Sequence, residues 1–239
     1  MIVIPMAGNS RRFTEAGYTM PKFMLPLDGQ SLFAHSVRSF EAYFASESFL
    51  FIARSDMDAG PFIEREVAAL GISDARIALL PGPTEGQAQT VEMGLALGEV
   101  PEQEPLTIFN IDTFRPNFTY PAKSWFPEAD GYLEVMNSTD PGFSFAAPSE
   151  RGEDRVRETA EKQVISDLAS TGLYWFREAR LFREIMRDGG VRANGELYIA
   201  PMYNAMIAKG LDVRYELVPS KEVIFCGVPQ QYEDLLAQA

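Results

Sequence analysis

Ile2-Val3-Ile4-Pro5-Met6-Ala7-Gly8-Asn9-Ser10-Arg11-Arg12-Phe13, continued by Met20-Pro21-Lys22-Phe23, governs how the rest of the chain is read. Val3, Ile4 and Met6 predict a buried strand over Ile2 to Ala7, and Gly8 breaks it where a residue without Cβ lets the backbone come close to a ligand. Cations follow the break. Arg11 or Arg12 offers a planar fork of donors suited to phosphate oxygens. Lys22 adds a point charge on a flexible stem, in a loop stiffened by Pro21.

Beyond this loop, strand and helix alternate. Leu32, His35, Ser36, Phe40, Tyr43 and Phe44 predict an amphipathic helix, and Phe49 to Ala53 a second buried strand. Pro61 to Leu70 follows as a helix, Arg76 to Leu80 as a strand, Gly86 to Leu97 as a helix and Leu106 to Ile111 as a fourth strand. The rhythm predicts an α/β fold in which helices cover both faces of a mostly parallel sheet and ligands bind at the carboxyl ends of its strands. After Pro127 the pattern turns to shorter strands near Gly131 to Met136, Phe143 to Ala147 and Gly172 to Phe176. No linker separates the two parts. The expectation is a single domain in two halves, over about 1–125 and about 126–239, the second of them the substrate-binding half.

A length of 239 residues with 46% apolar content suffices for one full core. The formal net charge of -13 argues against nucleic-acid or anionic-membrane binding, which relies on many cations, but leaves room for small anions held by local ones. The lone Cys226 has no partner for an internal disulfide, and the N-terminal residues carry neither a basic n-region nor a long apolar run, so a cytoplasmic location is expected. His35, the single histidine, lies among apolar neighbours and reads as packed. Cys226 reads as a small core residue, because no second His or Cys supports it as a nucleophile.

Three further stretches carry polar chemistry. Pro81-Gly82-Pro83-Thr84-Glu85-Gly86-Gln87-Ala88-Gln89 places turn residues before a helix start, where exposed main-chain groups, with Gln87 or Gln89, can meet the edge of a planar base; an ordinary helix start reads the same way. Asn110-Ile111-Asp112 ends the fourth strand with a carboxylate. Mg²⁺ takes hard oxygen ligands, commonly one or two protein carboxylates beside phosphates and water, which suits Asp112; capping a turn is the alternative. Between 143 and 176, Glu161-Lys162 and Thr171-Gly172 place a carboxylate, an ammonium and a tight turn near one another in sequence.

The first loop resembles the opening signature of the sugar-nucleotide pyrophosphorylases, nucleotidyltransferases that join an NTP to a sugar 1-phosphate. The resemblance implies a Rossmann-like nucleotidyltransferase fold. It places Ala7, Gly8, Asn9, Ser10 and Arg11 on the nucleotide, Arg12 at the family's catalytic arginine and Lys22 at its Pro-Lys lysine. It further implies base recognition by Glu85, Gly86 and Gln87, with Ala88 completing a Gly-x-Ala match, and Mg²⁺ binding by Asp112. On the acceptor side it implies a catalytic Lys162 with Glu161, Thr171 and Gly172. Asn194-Gly195-Glu196-Leu197-Tyr198 is similar to a short bacterial branch associated with surface-polysaccharide genes and adds Glu196 and Tyr198 to the acceptor site. The same run also reads as an N-capped helix.

Two departures qualify the match. Asn9 and Ser10 stand where the family often has a second glycine, and Phe225-Cys226-Gly227-Val228-Pro229 lacks the second metal-binding aspartate of many members. The resemblance implies transfer of NMP from an NTP to a sugar 1-phosphate or similar acceptor with release of pyrophosphate, in surface-polysaccharide precursor synthesis. CTP is favoured over UTP and dTTP. Alternatives are a cytidylyltransferase acting on a non-sugar phosphate or phosphonate, and a nucleotide-binding module without turnover. Glycosyl transfer on a related fold would need an Asp-x-Asp, of which Asn110-Ile111-Asp112 supplies half. Self-association into a homo-oligomer stays open.

Overall fold

The computed structural model describes residues 1–238. Its central sheet holds nine strands: β1 (Ile2–Pro5), β2 (Ser48–Arg54), β3 (Asp74–Leu80), β4 (Leu106–Phe109), β5 (Gly131–Asn137), β6 (Ser144–Pro148), β7 (Val156–Glu161), β8 (Leu168–Phe176) and β9 (Val213–Leu217). The order is β7-β6-β8-β4-β1-β2-β3, with β5 paired to β8 and β9 to β5. Pairing is parallel for β1 with β2, β2 with β3 and β1 with β4. It turns antiparallel where β8 meets β4, β5 and β6. The parallel rhythm expected of the first half therefore holds through Phe109, and the shorter strands after Pro127 extend the same sheet in mixed sense.

The helices are α1 (Arg11–Glu15), α2 (Leu32–Val37), α3 (Ala59–Leu70), α4 (Gln87–Leu97), α5 (Ala179–Arg187), α6 (Met202–Ala208) and α7 (Pro229–Leu236). Side chains alternate across each strand, so β1 and β2 feed two cores. Ile2, Ile4, Phe49 and Phe51 pack with Phe33, Val37 and Ile63 on one face. Val3, Leu50 and Ile52 pack with Val91, Leu95, Phe182 and Ile185 on the other. A third cluster joins the chain ends: Tyr232 of α7 meets Phe13, Leu25 and Phe114, and its hydroxyl donates to the Pro26 carbonyl at 2.6 Å. Burial of Phe13 fixes α1, and with it the exposed Arg11 and Arg12 that open the helix.

Several elements depart from expectation. The helix expected over Leu32 to Phe44 stops at Val37 and continues as a 3₁₀ segment, Arg38–Tyr43, with Phe40 outside helical geometry (φ -106, ψ 22). Phe40 leaves the helical path to pack edge-on against Phe49, Phe109 and Phe118. The run after Asn194 is not a helix start. Arg192–Ala193 and Glu196–Leu197 form a small hairpin with Asn194 (φ 50) and Gly195 (φ 86) at its tip, and α6 begins only at Met202. Asn-Gly is a favoured pair for a two-residue hairpin turn, which explains the outcome.

Candidate active site

The strand order β3-β2-β1-β4 reverses direction between β1 and β4, and the crevice at that switch point is where an open parallel sheet binds its ligands. Three of the four parallel strands deliver a loop there. Ala7 to Arg11 follows β1, Thr84 to Gln87 follows β3, and Asn110 to Asp112 follows β4, all lining a cleft of about 790 Å³ together with Lys22, Arg192, Glu196 and Tyr198. A second chamber of about 390 Å³ is lined by Arg12, Ser144, Glu161, Ser170, Thr171, Gly172, Tyr174 and Gln231, among others. Gln87, Asn110, Asp112 and Tyr198 line both, so the chambers meet at the end of β4.

Asp112 is the electrostatic centre of that junction. Its Oδ2 accepts from Lys22 Nζ at 2.5 Å, both side chains being largely shielded from solvent. Burial alone would raise the Asp112 pKa, but the Lys22 charge and hydrogen bond, a backbone N–H and the more distant Arg12 charge together hold it below the usual carboxylate value. Asp112 therefore stays ionised at neutral pH. A Cβ placed on Gly227 would sit 3.2 Å from Asp112 Oδ2, so the missing side chain leaves room beside the carboxylate. Among the described residues, no group of three or more His, Cys, Asp or Glu side chains gathers in metal-binding fashion.

The acceptor-side residues are distributed differently from expectation. Thr171 and Gly172 occupy a β-bulge in β8, where the register with β5 shifts between Ser170 and Tyr174. The Thr171 hydroxyl points into the sheet and donates to Glu134 Oε1 at 3.0 Å, so Thr171 contributes to the chamber wall while its side-chain donor is spent internally. Glu134 is in turn paired with buried Arg115 at 3.1 Å. Gly172 takes φ 93, and a Cβ there would meet Asn110 Nδ2 at 2.5 Å. Glu161 accepts a hydrogen bond from Ser144, and burial raises its pKa despite that bond and the Lys162 charge. Lys162 lies beside the chambers, its Nζ donating to the Tyr198 hydroxyl at 2.7 Å and lying 4.7 Å from the centre of that ring. Glu196, expected with the acceptor, lines the first cleft.

The loop after β3 is locked to the hairpin. The Leu197 N–H donates to the Glu85 carbonyl at 2.9 Å, and the Arg192 guanidinium pairs with the Glu85 carboxylate. The glutamine amides, expected to read a base, have partners inside the protein: Gln89 Oε1 accepts from the Glu85 N–H at 2.7 Å, and Gln87 Nε2 donates to Asn110 Oδ1 at 2.6 Å. What remains toward the cleft is chiefly main chain, with the outer atom of the Gln87 amide. His35 Nε2 lies 2.8 Å from the Leu27 carbonyl and its ring packs on Phe114, in keeping with a packing role. Cys226 is fully buried and its pKa is pushed up to about 12 by burial and by Asp112. Alkylation by iodoacetamide is expected only under denaturing conditions, and rapid labelling of the native protein would contradict the packing described here.

No family model and no curated protein sequence matches the chain. Among solved structures, the nucleoside-diphosphate-sugar pyrophosphorylase from Vibrio cholerae RC9 is 51% identical over 100% of both chains, with a TM-score of 0.94. The chain belongs to the nucleoside-diphosphate-sugar pyrophosphorylase family. More distant likenesses support the fold: a UDP-glucose pyrophosphorylase complexed with UDP-glucose (18% identity, 99% and 97% of the two chains, TM-score 0.78) and the inositol-1-phosphate CTP transferase from T. maritima (13%, 99% and 94%, TM-score 0.76). The protein is accordingly a nucleotidyltransferase with a mixed α/β sheet in a single domain.

Arg54 and Arg192, near the cleft, escaped the sequence reading, and Asn110 entered it without a role of its own. Asn110, with bonds to Gln87 and Gly172, links the base-side loop to the β8 bulge. Arg54 ends β2 behind the first loop, and Arg192 sits on the hairpin. The position of Arg54 and Asn110 at or just past the carboxyl end of an apolar strand was the available signal. Arg192 had none, because its approach to Glu85 depends on the hairpin. Among the described residues, no helix is long and apolar enough to cross a membrane.

Proposed function

We propose that the protein transfers NMP from an NTP to a sugar 1-phosphate or similar phosphorylated small molecule, releasing pyrophosphate. The observation that carries this reading is the meeting of two chambers at the Lys22–Asp112 pair, with Arg12 facing the second chamber. In-line attack needs an acceptor oxygen and an α-phosphorus held face to face, and effective concentration supplies much of the acceleration. On this reading Ala7, Gly8, Asn9, Ser10 and Arg11 hold phosphates, the Glu85-Gly86-Gln87 loop faces the base, and Arg12 and Lys22 stabilise charge that develops on phosphate oxygens. Glu161, Thr171, Gly172 and Tyr198 shape the acceptor chamber. Lys162 reaches it by leaving the Tyr198 hydroxyl. Residues up to about 125, with the hairpin, form the nucleotide half and those from about 126 most of the acceptor half.

The Asp112 carboxylate, with room beside it at Gly227 and in a cleft sized for a triphosphate, fits Mg²⁺ shared with substrate oxygens rather than caged by protein. Bound there, Mg²⁺ would neutralise phosphate charge. The Lys22 ammonium orients the carboxylate through its bond to Oδ2. Surface-polysaccharide precursor synthesis and a cytoplasmic location complete the proposal; the first rests on the resemblance of the Asn194 to Tyr198 run, the second on the single Cys226, which has no partner for an internal disulfide.

Pyrophosphate release from CTP, UTP, dTTP, ATP and GTP against a panel of sugar 1-phosphates, phosphorylated polyols, phosphorylated amines and phosphonates tests the assignment. A pyrimidine preference is expected, with CTP giving the highest kcat/KM, because the short branch that the chain resembles includes cytidylyltransferases; a site matched to one base in donor and acceptor order leaves groups unpaired with another. A purine preference would overturn the base assignment. NTP binding without pyrophosphate from any acceptor would favour a nucleotide-binding module.

A further inference from the structure

Asn9 stands in the first loop where a glycine would be ordinary for the family, and the structure gives it a partner. Arg54 is mostly shielded, with a side-chain exposure of 14%, and makes a two-pronged contact with Asp56: Nε to Oδ1 at 2.9 Å and Nη2 to Oδ2 at 2.5 Å. Its remaining outward nitrogen, Nη1, donates to Asn9 Oδ1. A guanidinium has no acceptor, so the amide atom facing Arg54 must be the oxygen. The Asn9 NH₂ group is thereby turned away from Arg54. Among the described residues it makes no hydrogen bond of its own, and Asn9 lines the nucleotide cleft.

We infer that Arg54 is a positioning residue that locks the Asn9 amide so that Nδ2 donates to a phosphate oxygen of the bound nucleotide. The inference rests on the nucleotidyltransferase reading of the cleft and adds one donor and its support to it. Asp56 neutralises Arg54 and holds it behind the loop, which leaves orientation of Asn9 as its contribution. A glycine at this position would give the loop freedom but no side-chain donor. A pre-oriented amide costs no rotamer entropy when the ligand arrives and adds no charge beside Lys22, Arg11 and Arg12.

Asn9→Asp separates this role from a merely structural one. The aspartate keeps the shape and strengthens the attraction to Arg54, so the fold and melting temperature should be retained. The inward oxygen stays, while the outward NH₂ becomes an oxygen facing phosphate. NTP affinity, measured by calorimetry with the preferred NTP and Mg²⁺, is expected to fall by tenfold or more, the loss anticipated when a hydrogen bond to a charged acceptor is exchanged for repulsion. Asn9→Ala and Arg54→Ala should each weaken NTP binding by about three- to tenfold, and the double variant should be no worse than Asn9→Ala alone, since both act through one donor. Arg54→Lys should not restore binding, because a lysine cannot grip Asp56 at two points and Asn9 together. Unchanged NTP affinity in Asn9→Asp, or additive losses in the double variant, would overturn the inference. A wild-type protein that binds no NTP would defeat the nucleotide reading itself, and this inference with it.

Discussion

Asp112→Asn is expected to lower Mg²⁺-dependent turnover by at least about a hundredfold, with a much smaller change in folding stability. The amide keeps the volume of the carboxylate and one acceptor for Lys22 Nζ, which lies at 2.5 Å in the wild type. What is lost is the charge, and that loss bears twice on the site: on a cation shared with phosphates, and on the ion pair that aims Lys22. Replacing a charge-assisted hydrogen bond by a neutral one should cost about 1 kcal/mol of stability, the difference between the two kinds of bond. Lys22→Ala provides the complement. It removes a donor to developing phosphate charge, costing about 2–4 kcal/mol of transition-state stabilisation. It also leaves Asp112 without the partner that offsets its burial, so the pKa of the carboxyl should rise. An acid limb in the pH–rate profile that moves upward in Lys22→Ala would report that shift. Titration of Mg²⁺ against rate for wild type and Asp112→Asn decides the assignment: equal saturation and equal rate would make Asp112 a structural turn residue.

Gly86→Ala is expected to be the most damaging single-methyl change in the cleft. Gly86 takes φ 144, and a Cβ there would lie 2.4 Å from the Leu197 carbonyl oxygen and 2.5 Å from its nitrogen. Both obstacles are backbone, so no rotamer change relieves them. The loop and the hairpin must separate, breaking the Leu197 N–H to Glu85 carbonyl bond and the Arg192–Glu85 contact. Backbone strain and overpacking together suggest a loss of about 2–4 kcal/mol. Because Glu196 and Tyr198 ride on the same hairpin, the KM for both substrates should rise even under conditions where the variant is fully folded. Denaturant unfolding followed by two-substrate kinetics measures both effects. Wild-type values in each would mean that the hairpin is not coupled to the base-side loop.

Much of this arrangement was legible in the residues. Runs such as Ile2 to Met6 and Phe49 to Ala53 are apolar on both faces and mark buried parallel strands, and a loop after such a strand in an alternating α/β pattern belongs at the carboxyl edge of the sheet. Gly8, Lys22, Gly86 and Asp112 could therefore be placed at one cleft before any coordinates. The second half was less readable. Strand β7, Val-Arg-Glu-Thr-Ala-Glu, buries mainly Val156 and Thr159 and carries too few apolar residues to announce itself. Helix α5 did carry a signal in Leu181, Phe182 and Ile185, which went unread, as did the Pro229 start of α7.

Side-chain partnerships were the least accessible layer. Gly86 reads as room for a ligand, yet its missing Cβ is claimed by the Leu197 backbone. Thr171 reads as a donor to an acceptor, yet its hydroxyl is drawn inward by Glu134, which burial beside Arg115 leaves in need of donors. Gln87 and Gln89 read as base readers, yet Asn110 and the Glu85 N–H engage them first. Each of these depends on a residue more than about ten positions away or on the exact path of a loop, and local pattern carries neither. Lys162 shows the same limit in a different form: the sequence supplies its charge, while the geometry docks that charge on Tyr198 beside the chambers.

The fate of the individual phosphates tests the central claim most directly. With the preferred NTP carrying label at the α-phosphorus in one reaction and at the γ-phosphorus in another, the account predicts that all α-label passes into the product joined to the acceptor, while all γ-label leaves as pyrophosphate. Both transfers should be lost in Asp112→Asn. Label from the γ-phosphate on the acceptor, or its release as inorganic phosphate with no α-label in the acceptor product, would contradict nucleotidyl transfer at this site.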